Sequence, residues 1–414
     1  MPYEHGRHYD LVVFGATGYT GKLTAEHIAN HLPTDLRWAI AGRSRDKLEK
    51  FSDELRKLNP DRLQPDIEVV ALTEEDLNTL AKKTFILITT VGPYGLYGEY
   101  AFKACAENGT HYLDSTGEVT FTASMIKKYD AVAKESGSML FPQLGLESSP
   151  ADLITWSLAK YNRMEFRAKT RDVVVSVHRL DSVPSGGTVS SLLSIFDVCS
   201  LEEVHTAMKP YALSPVPNPN QATAPIFPGT KTIPHLGRVT TFLSGAMDRA
   251  IVYRTWGLLS QIHSKQEESY GPDFSFEEYT KTGNWFSGRM VHYGTAMTAL
   301  LLAKSSSMRK LVKRLVYKPG EGPSMEQAKD DIIEYRALAT PDRPTEEVQA
   351  YCQATYHGSM YSLTGAFLAQ AAATVHDGSL NLGGGIYTPA CLGKGFVDRL
   401  DNVGFKIETR SVSI

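Results

Sequence analysis

Short apolar runs alternate with helix-patterned stretches through the first 150 residues. Leu11–Phe14, Trp38–Gly42, Ile67–Leu72 and Phe85–Val91 read as strands, with shorter ones at His111–Asp114 and Met139–Pro142. Lys22–His31 and the charged stretch Asp46–Leu58 carry helical patterns between them. Such alternation builds βαβ units, so the expected class is α/β with a doubly wound parallel sheet. After Ala151 the texture changes. Asp172–Leu180 reads as a longer strand, and Ser185–Phe196 as a glycine turn opening a helix. Residues Pro210–Pro234 carry seven prolines and little periodicity, the texture of a lid, a binding loop or a disordered insert. Ile332–Thr340 and Val348–Gly358 flank PDRPTEE and resemble a long hairpin, and Leu363–Val375 is an Ala-rich helix. The expected division is therefore 1–150 as a first domain, 151–379 as a substrate or lid domain, and 380–414 packing back on the first.

Composition narrows the class. The 414-residue chain is 42% hydrophobic and 21% charged, enough to bury sizeable cores. A formal net charge of −3 argues against a general nucleic-acid binder, which would be basic. Cys105, Cys199, Cys352 and Cys391 are scattered without a CxxC pair, so no zinc ribbon or disulfide scaffold is expected, and a reducing compartment fits. The start MPYEHGRHYD lacks the apolar core of a signal peptide. No apolar run reaches membrane-spanning length; the longest candidate, about Met290 to Ala303, contains His292 and Tyr293. A cytoplasmic protein is expected, with peripheral contact to a membrane or lipid droplet left open.

The strongest chemical signal is DLVVFGATGYTGKL at Asp10–Leu23. An apolar strand runs into Gly15, Gly18 and Gly21, and a helix follows at once. Glycines at this GxxGxxG spacing permit a tight turn and let backbone N–H groups approach a pyrophosphate, and the helix N-terminus adds positive potential. Ala16, Thr17, Tyr19 and Thr20 complete the expected cradle. An NTPase phosphate loop fits less well, because Leu23 follows Gly21 and Lys22, and position 16 is Ala. The second strand ends in AGRSRDKL, Ala41–Leu48. Sites specific for NAD place an acidic residue near there on the ribose, whereas this chain has Gly42, Arg43, Ser44 and Arg45. Arg and Ser can hydrogen-bond a 2′-phosphate that a carboxylate would repel. Cations at a helix start also oppose its dipole, a tension that a bound anion resolves. The expected cofactor is NADP or NADPH on a Rossmann domain. TTVGPYGLYGE, Thr89–Glu99, follows the fourth strand, so Val91, Gly92 and Pro93 should line the nicotinamide side. Ordinary turn chemistry would use the same Gly and Pro residues.

With these pieces in place, the chain resembles the saccharopine dehydrogenase-like oxidoreductases, most closely the branch of trans-acting enoyl reductases. GATGYTG, AGRS with KL, VGPYGLYGE, KACAENGTHYLDSTGE, LGLESSPADL, SGGT and GGGIYTPACLG carry the resemblance from Gly15 to Gly393. It implies an N-terminal Rossmann domain, a second α/β (α+β) domain, and a C-terminal helix packing back on the first, which Tyr387–Leu400 would supply. Where a GFDSIPSDL-like stretch is expected, this chain reads GLESSPADL, so Glu147 replaces an Asp.

The chemistry to be served is hydride transfer. With an enoyl thioester, hydride goes to the β-carbon, a donor stabilises the enolate, and an acid or water protonates the α-carbon. With an imine, it goes to the C=N carbon. None of the 20 tyrosines has Lys four residues later, which disfavours the short-chain dehydrogenase arrangement. Tyr94 and Tyr97 are the candidate donors, since their loop should face the nicotinamide. Glu118 and Glu147 follow strand ends and are secondary candidates; capping or loop hydrogen bonds would account for either. No HExxH or comparable ligand cluster points to a metal.

Two stretches bear on substrate and partner. Met290–Ala303 reads as a core helix or as a greasy wall for an acyl or polyketide chain. Arg309–Lys318 interleaves five cations with Leu311, Val312, Leu315 and Val316. It reads as a solvated helix face, or as a dock for anionic lipid headgroups or an acidic carrier protein. Three functions follow. The first is NADPH-dependent reduction of a conjugated C=C in a large apolar or carrier-bound substrate. The second is C–N chemistry, which would need arginines such as Arg167, Arg171 and Arg179 to converge. The third is non-catalytic NADP binding at a lipid surface.

Overall fold

The structure, a computed structural model, describes residues 5–218, 227–315, 317–318, 320–324, 326–343 and 348–413. The first part alternates as its pattern requires: β1 (Tyr9–Phe14), α1 (Tyr19–His31), β2 (Trp38–Gly42), α2 (Arg45–Leu58), β3 (Asp66–Val69), α3 (Glu74–Lys83) and β4 (Thr84–Thr89). There follow α4 (Tyr94–Tyr97), α5 (Glu99–Asn108), β5 (His111–Asp114), α6 (Val119–Ser136) and β6 (Met139–Phe141). Central strands β1 and β4 are buried at every position, as a sheet covered on both faces demands. In α2 the charged residues face water, while Leu48, Phe51, Ser52 and Leu55 form the buried stripe.

The second part runs α7 (Ser149–Glu165), β7 (Thr170–Leu180), α8 (Gly186–Val198), α9 (Leu201–Ala207), β8 (Lys231–Ile233), β9 (Gly237–Thr241) and α10 (Gly245–Gln261). It continues with β10 (Ser275–Lys281), α11 (Trp285–Lys304), α12 (Ser306–Leu315), β11 (Ile332–Pro341), β12 (Val348–His357) and α13 (Met360–His376). The chain ends with β13 (Gly385–Ile386), α14 (Gly393–Asn402) and β14 (Lys406–Ser413). Residues 219–226 of the proline-rich stretch, Val316 of the basic stretch and residues 344–347 lie outside the described residues.

The first sheet has the order β13-β6-β5-β4-β1-β2-β3, with every neighbouring pair parallel. The chain winds one way from β1 and the other way from β4. A crevice therefore opens where these two strands diverge at their carboxyl ends. The second sheet, β14-β12-β11-β7-β10-β9-β8, is mixed: β7 and β10 are parallel, and the other pairs are antiparallel. The expected hairpin is β11–β12, registered from Ile332 opposite His357 to Ala339 opposite Ala350.

Helix α13 ties the halves together. It is buried almost all round, which explains its run of alanines. A Cβ at Gly365 would sit 3.0 Å from the backbone of Leu23 and Thr24, so α13 and α1 meet backbone to backbone. One continuous core runs from Leu11 and Ile88 through Leu153 and Phe367 to Val175 and Ala337. The C-terminal segment divides between the sheets, and this corrects the expectation that all of 380–414 returns to the first domain. Gly385–Ile386 extends the first sheet beside β6, and α14 packs on α13. Lys406–Ser413 instead pairs with β12 from Val348 to Thr355, covering an edge that would otherwise offer unpaired backbone groups. The expectation for Met290–Ala303 is also corrected. It forms part of α11, but its large side chains are mostly exposed rather than in a core.

Candidate functional site

A cleft of about 800 Å³ lies at the crevice between β1 and β4. Its floor begins at the glycine turn. Gly15 has φ +87, and a side chain there would strike Val91 and Thr90 within 3 Å. A Cβ at Gly21 would lie 2.2 Å from the Gly15 carbonyl oxygen, so only glycine lets α1 start this close to the strand. Gly18 caps α1 without a side-chain bond, and the first turn holds no acidic residue. Its leading N–H groups therefore face the cleft uncapped, with the positive end of the helix behind them. Thr17, Tyr19 and Thr20 line the same end. Ala16 is buried, and its N–H bonds to Ala41 O at 3.3 Å. These features suit a diphosphate.

At the tip of β2, Gly42 and Arg43 line the cleft. Among the described residues Arg43 is exposed and makes no ion pair. Ser44 caps α2 without a side-chain bond, and Arg45 pairs with Glu49 at 3.6 Å. Ser44 and Arg45 lie outside the cleft lining, so of the three only Arg43 reaches it.

Across β4 the chain turns through Thr90, Val91, Gly92 and Pro93 into the single helical turn α4, all lining the cleft up to Tyr97 except Gly95. Glu118 holds this turn. Its carboxylate accepts from the Tyr94 N–H at 2.8 Å and the Gly95 N–H at 2.9 Å. Burial raises the Glu118 carboxyl above its ordinary range, and those N–H groups with the Ser191 hydroxyl oppose the rise. Tyr94 is buried; its hydroxyl donates to Thr89 O at 3.1 Å and accepts from the Ser115 N–H at 3.4 Å. Burial also raises its phenol. Tyr97 differs: it is 44% exposed and lines the cleft, and its hydroxyl has no hydrogen-bond partner among the described residues.

The second carboxylate, Glu147, follows β6 and enters the cleft beside Gly117. A Cβ at Gly117 would overlap its carboxylate at 1.5 Å, so glycine at 117 is what makes room for it. No hydrogen bond or ion pair from the described residues reaches Glu147. Burial, with the negative charge of Glu118 added, raises its carboxyl. One buried group positions both turns. Asp114, at the end of β5, accepts from the Thr116 N–H at 2.8 Å, the Gln143 N–H at 2.9 Å and the Tyr112 hydroxyl at 2.7 Å. Burial pushes Asp114 up to about 6.

The far wall is α8, with Ser185, Thr188, Ser191 and Ser194 presenting hydroxyls. Tyr361 of α13 accepts from the Ser185 N–H at 2.5 Å and shares a hydrogen bond with Thr188 at 2.8 Å. Its ring meets Tyr19 edge to face at 4.9 Å, joining the glycine turn to the second sheet's helices. The hydroxyl row, Tyr361 and Gly117 were not singled out as site residues from the sequence. The SGGT and STGE segments were the only local signals, and neither shows what it faces. At the other end of β1, His5, Asp10 and His376 are grouped closely enough to hold an ion. The Arg37 guanidinium bonds the same Asp10 carboxylate, which disfavours a second cation there.

Comparison with known proteins follows the same lines. Residues 11–141 match the family described as the saccharopine dehydrogenase NADP binding domain. A Mycobacterium tuberculosis protein, provisionally named a trans-acting enoyl reductase, is 29% identical over 421 residues, covering 97% of this chain and 98% of its own. A Mycobacterium bovis protein named trans-acting enoyl reductase is 28% identical over 427 residues, covering 98% and 99%. Saccharopine dehydrogenase (L-Glu forming) from Saccharomyces cerevisiae shares the fold, with a TM-score of 0.53 at 12% identity over 97% of this chain and 99% of that one.

Proposed function

We propose that this saccharopine dehydrogenase-like, NADP-binding oxidoreductase uses NADPH to reduce a conjugated C=C bond in a large apolar enoyl substrate. The observation that carries the reading is the wall of the cleft beyond the glycine turn. Leu96, Leu146, Leu192, Ile195, Met247 and Met360 line it, and its only cations among the described residues are Arg43 and Lys313. Lys313 lies 3.4 Å from Asp197. An amino-dicarboxylate would need converging arginines. Arg167, Arg171 and Arg179 all lie outside the lining, and the last two pair with Asp172 and Asp181. The relatives named trans-acting enoyl reductase, aligned over nearly the whole chain, support the same reading.

When bound, NADPH supplies the hydride. The uncapped first turn of α1 would hold its diphosphate, and Arg43 its 2′-phosphate, which favours NADPH over NADH. Reduction of an enoyl thioester puts negative charge on the thioester oxygen and calls for a proton at the α-carbon. Glu147 holds that proton: its carboxyl is shielded, unpaired and shifted toward the protonated form. Tyr97 offers the hydroxyl that donates to the oxygen. Tyr94 positions the loop through its bonds to Thr89 and Ser115.

The test is NADPH oxidation with a series of trans-2-enoyl thioesters, free and carrier-bound, with NADH for comparison. Turnover that needs NADPH and improves with acyl length supports the reading. Tight NADPH binding with no turnover across the series overturns it, as does turnover confined to imines.

A further inference from the structure

Helix α11 turns its apolar side outward. Phe286, Met290, Tyr293, Met297, Leu300 and Leu301 recur at spacings of three and four, so they form one stripe. Each is between 44% and 62% exposed. The opposite face docks on the body, where the Gly288 carbonyl accepts from Thr240 at 2.7 Å and His292 is bonded to Thr241 at 2.6 Å. The stripe is about 23 Å long at 1.5 Å per residue, and it lies outside the cleft lining. Exposed apolar surface of that extent marks a contact site.

Its surroundings say what kind. From Trp285 to Lys318 the chain holds seven Lys and Arg residues and no Asp or Glu. In α12, Arg309 and Lys313 pair with Asp197 of α8, whereas Lys310 and Arg314 are exposed without an ion pair among the described residues. Leu311 is exposed between them. Among the described residues no helix is long and apolar enough to cross a membrane.

We infer that the α11–α12 surface docks on an anionic lipid layer, the α11 stripe sunk among acyl chains and the α12 cations among headgroups. Trp285, at the start of α11 and outside the stripe, suits the boundary between the two. A second copy of the chain fits poorly, because a self-complementary contact would set this all-cationic segment against itself. An acidic protein partner would satisfy the cations but leave the stripe in water. Lys313 and Asp197 also line the cleft, so its mouth borders the docked surface. An apolar substrate would thus enter from the lipid side; that consequence rests on the reductase reading, whereas docking does not.

The test uses the full-length protein with vesicles of phosphatidylcholine alone and with phosphatidylglycerol added, read by flotation and by the tryptophan emission shift. Binding should require the anionic lipid and weaken in high salt. Met290→Asp with Met297→Asp should abolish it. Lys310→Gln with Arg314→Gln should weaken partitioning about 30-fold, from the contribution of one surface cation each. NADPH affinity should be unchanged in both variants, which shows that they fold. Absence of binding to either vesicle, or binding unaffected by both variants, overturns the inference. So does a vesicle-free dimer, or capture of an acidic carrier protein without vesicle binding, that the methionine changes abolish.

Discussion

Glu118 and Glu147 are the same residue type in the same cleft, and their partners divide their roles. The first accepts two backbone N–H bonds and holds a loop; the second accepts none among the described residues, and burial raises its carboxyl. Glu147→Gln preserves the shape and removes the proton. It should lower kcat about 100-fold or more with NADPH affinity unchanged, measured by steady-state kinetics beside a binding titration. In the proposed mechanism the protonated carboxyl is the working form, and burial raises its pKa. Wild-type kcat should therefore fall as pH rises through a point above the ordinary glutamate range, and Glu147→Gln should lack that limb. In the proposed function Arg43 acts on the cofactor alone. Arg43→Ala should weaken NADPH about 10- to 100-fold, the worth of a charge-assisted bond, and leave NADH nearly unchanged. Equal losses for both coenzymes would place Arg43 elsewhere.

At the scale of elements, the site depends on short turns held from outside themselves. The one-turn helix α4 is seated by Glu118. Glu118→Ala leaves two donors without their partner, and should cost roughly 1–3 kcal/mol in urea unfolding while also lowering kcat. Full stability in that variant would mean water replaces the carboxylate. The contact of α1 with α13 is fixed by Gly365. Gly365→Val must push apart two backbones that cannot rotate away, so a loss of about 1–3 kcal/mol is expected. NADPH affinity should drop with it, because α1 carries the glycine turn.

At the scale of the whole molecule, the two sheets share one core. Helix α13 covers α1 and contacts β4 and β5, although it lies more than 200 residues beyond them in the chain. Residues 1–150 alone would expose Ile28 and Ile86 on that uncovered face. The isolated segment should therefore lack a cooperative thermal transition and dispersed amide resonances, and adding NADPH should not restore them. A well-folded segment that binds NADPH would show that the first sheet stands alone.

The strand, the three glycines and the helix after them were legible in the sequence, as were the basic tip of β2 and the loop after β4. Each is a local event, with geometry set by residues a few positions apart. The family resemblance was readable for a related reason, since its motifs are contiguous words. Which carboxylate is free was not readable, because it depends on N–H groups of Tyr94 and Gly95 meeting Glu118 and on the space beside Gly117. Nor was the outward turn of α11. An apolar helical stripe has the same pattern whether it faces a core or a lipid layer, and only the packing of the rest of the chain settles which side is left uncovered.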